Sequence, residues 1–304
     1  MGFLYALESV RTPFLNTVLG LITQLGGETV YLVAAIFIFW CVDKRMGYYV
    51  LTVGFTGTVV SQALKITFRI PRPWVLDGNF TIVESARAAA TGYSFPSGHT
   101  TNVFASFGCI GRWTKRGWLR ALCAAVIVLV AFSRMYLGVH TPLDVSVGAL
   151  IGLVLMLALY PLFRDMDRRP DTMYWVLGAM LAAVLLYLCY VELWPFPADV
   201  DADNLTSARQ SGYSLLGASS GMLLAYFLDR RYIRFDTRAP LWGQAVKLVV
   251  GLCLVLAIKT LLKAPFLALF GNASVATAAR YFLVILFAAG VWPMTFRLFR
   301  VREK

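Results

Sequence analysis

An all-α, polytopic integral membrane helix bundle is the fold class predicted by three observations. Of 304 residues, 59% are hydrophobic and only 14% charged, where ordinary soluble domains run at about 45–50% apolar and 25% charged. Mean hydropathy is +0.69. The apolar residues gather in repeated runs near the ~20-residue length that crosses a bilayer as helix, without the ten-residue alternation of an outer-membrane barrel. A soluble enzyme and a disordered chain are both excluded. The net charge of +12, from 28 Lys and Arg against 16 Asp and Glu, admits nucleic-acid binding or the basic cytoplasmic loops of a polytopic protein. No basic tail or module accompanies it, so no nucleic-acid partner is expected.

Residues 1–27 lack the basic start of a signal peptide, and their apolar stretch, 14–22, is too short to span, which predicts an interfacial helix. Gly2 has no Ser or Thr four residues on, so no myristoylation signal is read there. Apolar runs then follow at about 30–42, 48–64, 98–110, 119–131, 142–163, 173–191, 213–228, 242–262 and 278–294, predicting about nine membrane helices. The shorter ones must borrow flanking residues or line a polar cavity. Cys41, Cys109, Cys123, Cys189 and Cys253 fall singly within or beside these runs, which fits small hydrophobes rather than a disulfide framework or zinc site.

Orientation follows from Lys and Arg alone. With the first helix starting outside, the cytoplasmic loops hold Lys44, Arg45; Arg112, Lys115, Arg116, Arg120; Arg164, Arg168, Arg169; Arg230, Arg231, Arg234, Arg238; and Arg297, Arg300, Arg302, Lys304. That is seventeen basic residues against ten outside, with Lys247 inside a helix. The acidic loop 192–203, carrying Trp194 and Phe196, suits the outer face. Four outer cations, Lys65, Arg69, Arg72 and Arg134, lie near the only two histidines, so an anion is expected there.

Three segments carry the chemistry. In Lys65-Ile-Thr-Phe-Arg69-Ile-Pro71-Arg72-Pro73 the prolines end a helix and hold Arg72 extended, so Lys65 and Arg72 can converge on one ligand, although snorkelling basic residues would look similar. In Tyr93-Ser94-Phe95-Pro96-Ser97-Gly98-His99-Thr100, Ser97 is a natural N-cap. The N–H groups of Gly98 and His99 then face outward at the positive end of a helix, an anion site, and Gly98 lets an oxygen approach the backbone. In Ser133-Arg134-Met-Tyr-Leu-Gly-Val-His140-Thr141-Pro142-Leu-Asp144, Thr141, Pro142 and Asp144 begin a helix. Asp144 can there reach back to His140, fixing its tautomer and leaving the other nitrogen as nucleophile or base. The bland alternative is that Asp144 only caps the helix.

Lys65-x6-Arg72-Pro73, Pro96-Ser97-Gly98-His99 and Ser133-Arg134-x5-His140-x3-Asp144 together resemble the three-part signature of the type 2 phosphatidic acid phosphatase superfamily. That superfamily includes lipid phosphate phosphatases, undecaprenyl pyrophosphate phosphatases, glucose-6-phosphatase and vanadium haloperoxidases. The resemblance spans about 23–169 and implies a membrane phosphatase that uses no metal or cofactor and works through a phosphohistidine. It implies Lys65, Arg72 and Arg134 as ligands of the phosphoryl oxygens, with Ser97 and the Gly98 N–H completing the cradle. His140 is then the nucleophile, Asp144 its orienting partner and His99 the acid that protonates the leaving oxygen. Elementary chemistry agrees, since phosphoryl transfer needs positioned cations and N–H donors above all.

The expected organisation is an interfacial segment at 1–27, a phosphatase core at 28–169 and further membrane helices at 170–304. The last region holds a faint echo, Gly212-Tyr213-Ser214 against Gly92-Tyr93-Ser94, and an intramembrane pair, Lys259 and Lys263, that suits a head group or interfacial snorkelling. Sequons at Asn79, Asn204 and Asn272 are expected in outer loops. The expected substrate is a lipid phosphate or pyrophosphate in the outer leaflet of a bacterial plasma membrane, with an endoplasmic reticulum membrane and lumenal site as the alternative. A lipid transporter or scaffold with a retained anion site, and a phosphotransferase, are the competing functions. Oligomeric state is not legible.

Overall fold

The computed structural model describes residues 1–197 and 200–299, and Arg300, Arg302, Glu303 and Lys304 of the predicted cytoplasmic tail lie outside the described residues. Among those described, helices follow one another without a strand. The N-terminal region is not one helix but two, α1 (Gly2–Ser9) and α2 (Pro13–Thr23), the second opened by a Thr12 cap and Pro13 at its first position. A 3-10 turn, Gln24–Gly26, leads to α3 (Glu28–Phe37) and a π turn, Ile38–Val42. The long α4 (Lys44–Phe68) ends where Arg69 takes a left-handed φ of 51°. Pro73 then opens the short α5 (Pro73–Leu76).

Next come α6 (Gly98–Val103), a π turn at Phe104–Gly108, and α7 (Cys109–Trp113). Then follow α8 (Gly117–Tyr136), α9 (Pro142–Arg164), α10 (Thr172–Leu193) and α11 (Ala202–Leu228). A π turn, Asp229–Ile233, precedes α12 (Leu241–Leu261), α13 (Lys263–Phe270) and α14 (Ala273–Leu286).

All nine apolar runs are helical, but the count of nine membrane spans is not confirmed. Six helices are long and apolar enough to cross: Lys44–Leu76, Gly117–Tyr136, Pro142–Arg164, Thr172–Leu193, Leu241–Phe270 and Ala273–Phe299. A seventh arises if Pro13–Gly26 and Glu28–Val42, bent by 50°, form one span. The 98–113 helix is too short by itself, and the first half of α11 is polar. Because α11 begins at Ala202, Gly212-Tyr213-Ser214 lies inside a helix, and its likeness to a helix entry is lost. Nor is every sequon in a loop: Asn204 sits in the first turn of α11, whereas Asn79 and Asn272 lie between helices, Asn272 as the N-cap of α14.

The chain forms two compact units. The first comprises Met1–Leu32, Thr56–Pro161 and Pro195–Ala208; the second comprises Val33–Phe55, Leu162–Trp194 and Arg209–Lys304. In the first, Leu19, Ala86, Tyr136, Leu137 and Val139 make an apolar cluster that anchors the turn between α8 and α9. Gly138 supplies a φ of +80° there, and a Cβ on it would stand 2.7 Å from Arg11 Nη2 and 3.0 Å from the Phe80 ring. With Leu137 and Val139 held in the cluster, the turn delivers His140 to the start of α9. In the second unit, buried Trp40 donates to the Ala288 carbonyl at 2.8 Å and Gly251 gives the indoles of Trp40 and Trp292 room against α12.

Candidate active site

The three signature segments converge within the first unit. From the last turn of α4, Lys65 donates to the Tyr93 carbonyl. Arg72, held extended at φ −68° and ψ 154° by its place before Pro73, is only 6% exposed. Its guanidinium donates to the carbonyls of Gly92 at 3.0 Å, Thr91 at 2.7 Å and Val139 at 2.9 Å. Nη1 of the same group stands 3.0 Å from His140 Nε2. Arginine has no acceptor, so Nε2 accepts and the imidazole proton resides on Nδ1.

That Nδ1 faces Asp144 Oδ2 at 3.5 Å, a long contact. The same oxygen accepts much closer bonds from Ser94 Oγ at 2.6 Å and the Thr141 N–H at 2.7 Å. Asp144 N–H in turn donates to Thr141 Oγ1 at 3.3 Å, so the predicted cap is present. Asp144 therefore serves as helix cap and as the imidazole's neighbour at once. Ser94, fully buried and 3.4 Å from Nδ1, is a member of this network that the signature does not name.

Ser97 caps α6 as expected: its hydroxyl accepts from the Thr100 N–H at 3.4 Å and from Thr100 Oγ1 at 3.0 Å. The α9 helix passes close behind it, since a Cβ on Gly148 would stand 2.6 Å from the Ser97 carbonyl. Around Gly98 there is open space, with nothing within 4 Å of an added Cβ, so the helix N-terminus can receive an oxygen. Arg134 is 1% exposed; Nη1 donates to Thr23 Oγ1 at 2.8 Å, while Nε is buried without a partner. The 23–26 turn is thus a wall of the site, and Gly26 lies against the His99 carbonyl, 2.8 Å from where its Cβ would be.

His140, in the turn outside the membrane-spanning helices, is held well below the ordinary histidine pKa. Burial is the main cause, and the charges of Arg72, Arg134 and Lys65 add to it, with a smaller push from His99. At neutral pH the imidazole is therefore uncharged. Three cations lie around one carboxylate here, an arrangement with the charge to receive an anion.

Comparison with known proteins gives the family. Residues 45–168 match the PAP2 superfamily, and residues 213–304 match the PAP2 superfamily phosphatase, transmembrane extension. The chain belongs to the PAP2 superfamily. Among relatives, sphingosine-1-phosphate phosphatase 1 of Rattus norvegicus is 25% identical over 261 residues, covering 79% of this chain and 58% of the relative. Undecaprenyl-diphosphatase BcrC of Bacillus subtilis is 33% identical over 116 residues, 38% of this chain and 56% of that protein. An undecaprenyl-diphosphatase of Sulfolobus acidocaldarius is 30% identical over 140 residues, 45% and 66% respectively. The chain thus spans somewhat over half the length of these curated relatives. No solved structure matches it. It is a multi-pass membrane protein with the PAP2 signature in full.

Proposed function

We propose that this PAP2 protein is a membrane-embedded, metal-independent phosphatase that hydrolyses a lipid phosphate or pyrophosphate through a phosphohistidine. The observation that carries the reading is the buried His140, whose Nε2 presents a lone pair 3.0 Å from Arg72 among three cations. A phosphoryl oxygen arriving between Lys65, Arg72 and Arg134 takes over the Arg72 hydrogen bond and releases Nε2 to attack phosphorus. As the N–P bond forms, the P–O bond to the leaving group breaks, and His99 gives that oxygen its proton. Water then attacks the phosphohistidine, His99 accepts the water's proton, and the N–P bond breaks to free inorganic phosphate and restore His140. Ser97 and the Gly98 N–H complete the oxyanion cradle, and Asp144 keeps the imidazole oriented.

Relatives named for a lipid monophosphate and for a lipid diphosphate both support a substrate anchored by a lipid chain. The decisive measurement is phosphate release by purified protein from phosphatidic acid, phosphatidylglycerol phosphate, a sphingoid-base phosphate and undecaprenyl pyrophosphate, beside a soluble sugar phosphate, with EDTA or magnesium. Release from a lipid member is expected in EDTA, and no release from any member overturns the reading. We further propose that the site opens on the outer face, on the strength of the seventeen-to-ten charge asymmetry. Cysteines at Gly78, Ala202 and Gly117, in a background without the five native ones, test it in sealed cells. An impermeant reagent is expected to label the first two only. Labelling of Gly78 and Gly117 from one side means that the 98–113 helix does not cross.

A further inference from the structure

The helix that begins at Gly98 and His99 ends, some 20 Å away by its rise per residue, beside a different feature. A groove of about 340 Å³ runs along the 104–108 π turn, α7, α8 and Met156 of α9, a size in the range of small-ligand sites. Glycines mark where its walls come close: a Cβ on Gly108 would stand 3.0 Å from the Met156 sulfur, and one on Gly111 3.3 Å from the Cys123 Cβ. Phe104, Phe107, Ala124 and Ile127 make its apolar walls.

Two cations share this lining, Arg112 on the last turn of α7 and Arg120 on the first turn of α8, and no acidic residue does. Each head group is steadied rather than neutralised. Arg112 stacks 4.0 Å over Tyr160, and Arg120 Nε donates to the Thr114 carbonyl at 3.0 Å. The twenty-residue α8 begins between them with no side-chain cap, its N-cap position being Arg116. Its first N–H groups and dipole add to the positive field. One apolar slot with a paired-arginine, open-helix end has the chemistry of an amphiphile with a buried chain and a negative head.

We propose that this groove binds an anionic membrane phospholipid, one acyl chain lying along Phe104, Phe107 and Ile127 and its phosphodiester held by Arg112, Arg120 and the start of α8. A phosphodiester lipid is chosen because it has no terminal phosphate to remove, so the site is independent of turnover at His140. Native mass spectra of the full chain carrying His140→Ala, in detergent with mixed phosphatidylglycerol and phosphatidylcholine, provide the test. Phosphatidylglycerol is expected to be retained at least tenfold over phosphatidylcholine. That preference is expected to vanish in R112Q/R120Q and, with both arginines intact, in Ala124→Trp, which fills the slot. Glycerol phosphate, a head group without chains, is expected not to compete. Preference surviving both variants, absence of preference in the parent, or competition by glycerol phosphate equal to that of the lipid overturns the proposal. Should R112Q/R120Q not fold, the Ala124→Trp result decides.

Discussion

In the unit that carries Lys44 and Lys247, the two buried charged residues among those described, Asp229 and Lys247, both find partners within the unit. Lys44 Nζ lies 2.7 Å from Asp229 Oδ2, and Asp229 also accepts the Phe235 N–H at 3.2 Å. Lys247, fully buried on α12, donates to the Thr237 carbonyl at 3.1 Å and sits 4.5 Å over the Phe296 ring. In the unit that carries His140, Lys65, Arg72 and Arg134 share a single carboxylate, Asp144, and that carboxylate is already engaged by Ser94 and Thr141. Among the described residues Arg134 Nε is buried without a hydrogen-bond partner, as are single nitrogens of Arg209, Arg230 and Arg280 in the other unit. Burying uncompensated charge costs several kcal/mol per group, and an anion bound between these three cations would offset that cost. Placement beside a histidine–carboxylate pair, rather than burial of charge, separates Lys65, Arg72 and Arg134 from Lys247.

Substitution at the two buried positions makes the largest contrast. His140→Ala is expected to abolish phosphoenzyme and to lower turnover by roughly the 10⁴–10⁶ that follows loss of a covalent nucleophile. Lys247→Met is expected to leave activity per folded molecule unchanged, because its contacts, the Thr237 carbonyl and the Phe296 ring, belong to the second unit and not to the His140 network. Trapping of an acid-labile phosphate on the His140→Ala protein would overturn the nucleophile assignment. A large activity loss in Lys247→Met would end the distinction between the two kinds of buried cation.

Smaller losses are expected around His140. His99→Ala is expected to slow turnover by about 10²–10⁴, the range for a missing general acid, and by less for a substrate with a good leaving group. If both substrate types slow equally, His99 does not protonate the leaving oxygen. Arg72→Lys keeps the charge but loses the fork that reaches Gly92, Thr91, Val139 and His140 together. A loss on the order of 10²–10³ is expected there, and full activity would mean that charge alone suffices.

Much of this site is legible in the sequence because its parts are local. Ser97 and Thr141 announce helix starts, prolines around Arg72 announce extended chain, and the spacing from His140 to Asp144 spans one helical turn. What is not legible depends on contacts distant in sequence. Thr23 meets Arg134 across 111 residues and Ser94 meets Asp144 across 50, and neither a loop serine nor an interfacial threonine carries a mark of its partner. Membrane helices were easier to locate than to count. Hydropathy finds the 98–113 and α11 helices, but whether they cross depends on length and on polar residues that packing can shelter. Lys247 is visible as a charge inside an apolar run, whereas its carbonyl and aromatic partners come from chain that folds back later.

The paired charges of the second unit should register as stability. Asp229→Asn leaves Lys44, only partly exposed, without its carboxylate. It is expected to cost about 1–3 kcal/mol, the scale for an unsatisfied buried partner, read as lower thermal stability in detergent with activity per folded molecule intact. A comparable loss of stability from Arg134→Gln, already lacking a partner at Nε, would blur the contrast between the units.

The smallest effect, and the sharpest test of how the surplus is organised, concerns Ser94. Its hydroxyl occupies Asp144 Oδ2 at 2.6 Å while His140 Nδ1 waits at 3.5 Å. A hydrogen bond to a charged group is worth about 1.5–3 kcal/mol, so Ser94→Ala gives Asp144 capacity to turn onto the imidazole. That stabilises the imidazolium and raises the His140 pKa. In the parent protein burial and the three cations hold that pKa well below the ordinary histidine range, so with a substrate whose good leaving group needs no proton from His99, phosphoenzyme formation is expected to stay flat as pH falls through about 6.5 and to decline only in more acidic buffer. In Ser94→Ala the acid limb is expected to move upward, with a drop of no more than about tenfold at neutral pH, and Ser94→Thr is expected to restore the parent profile. A slower enzyme with an unmoved acid limb would make Ser94 a packing residue and leave Asp144 to act on His140 without its help.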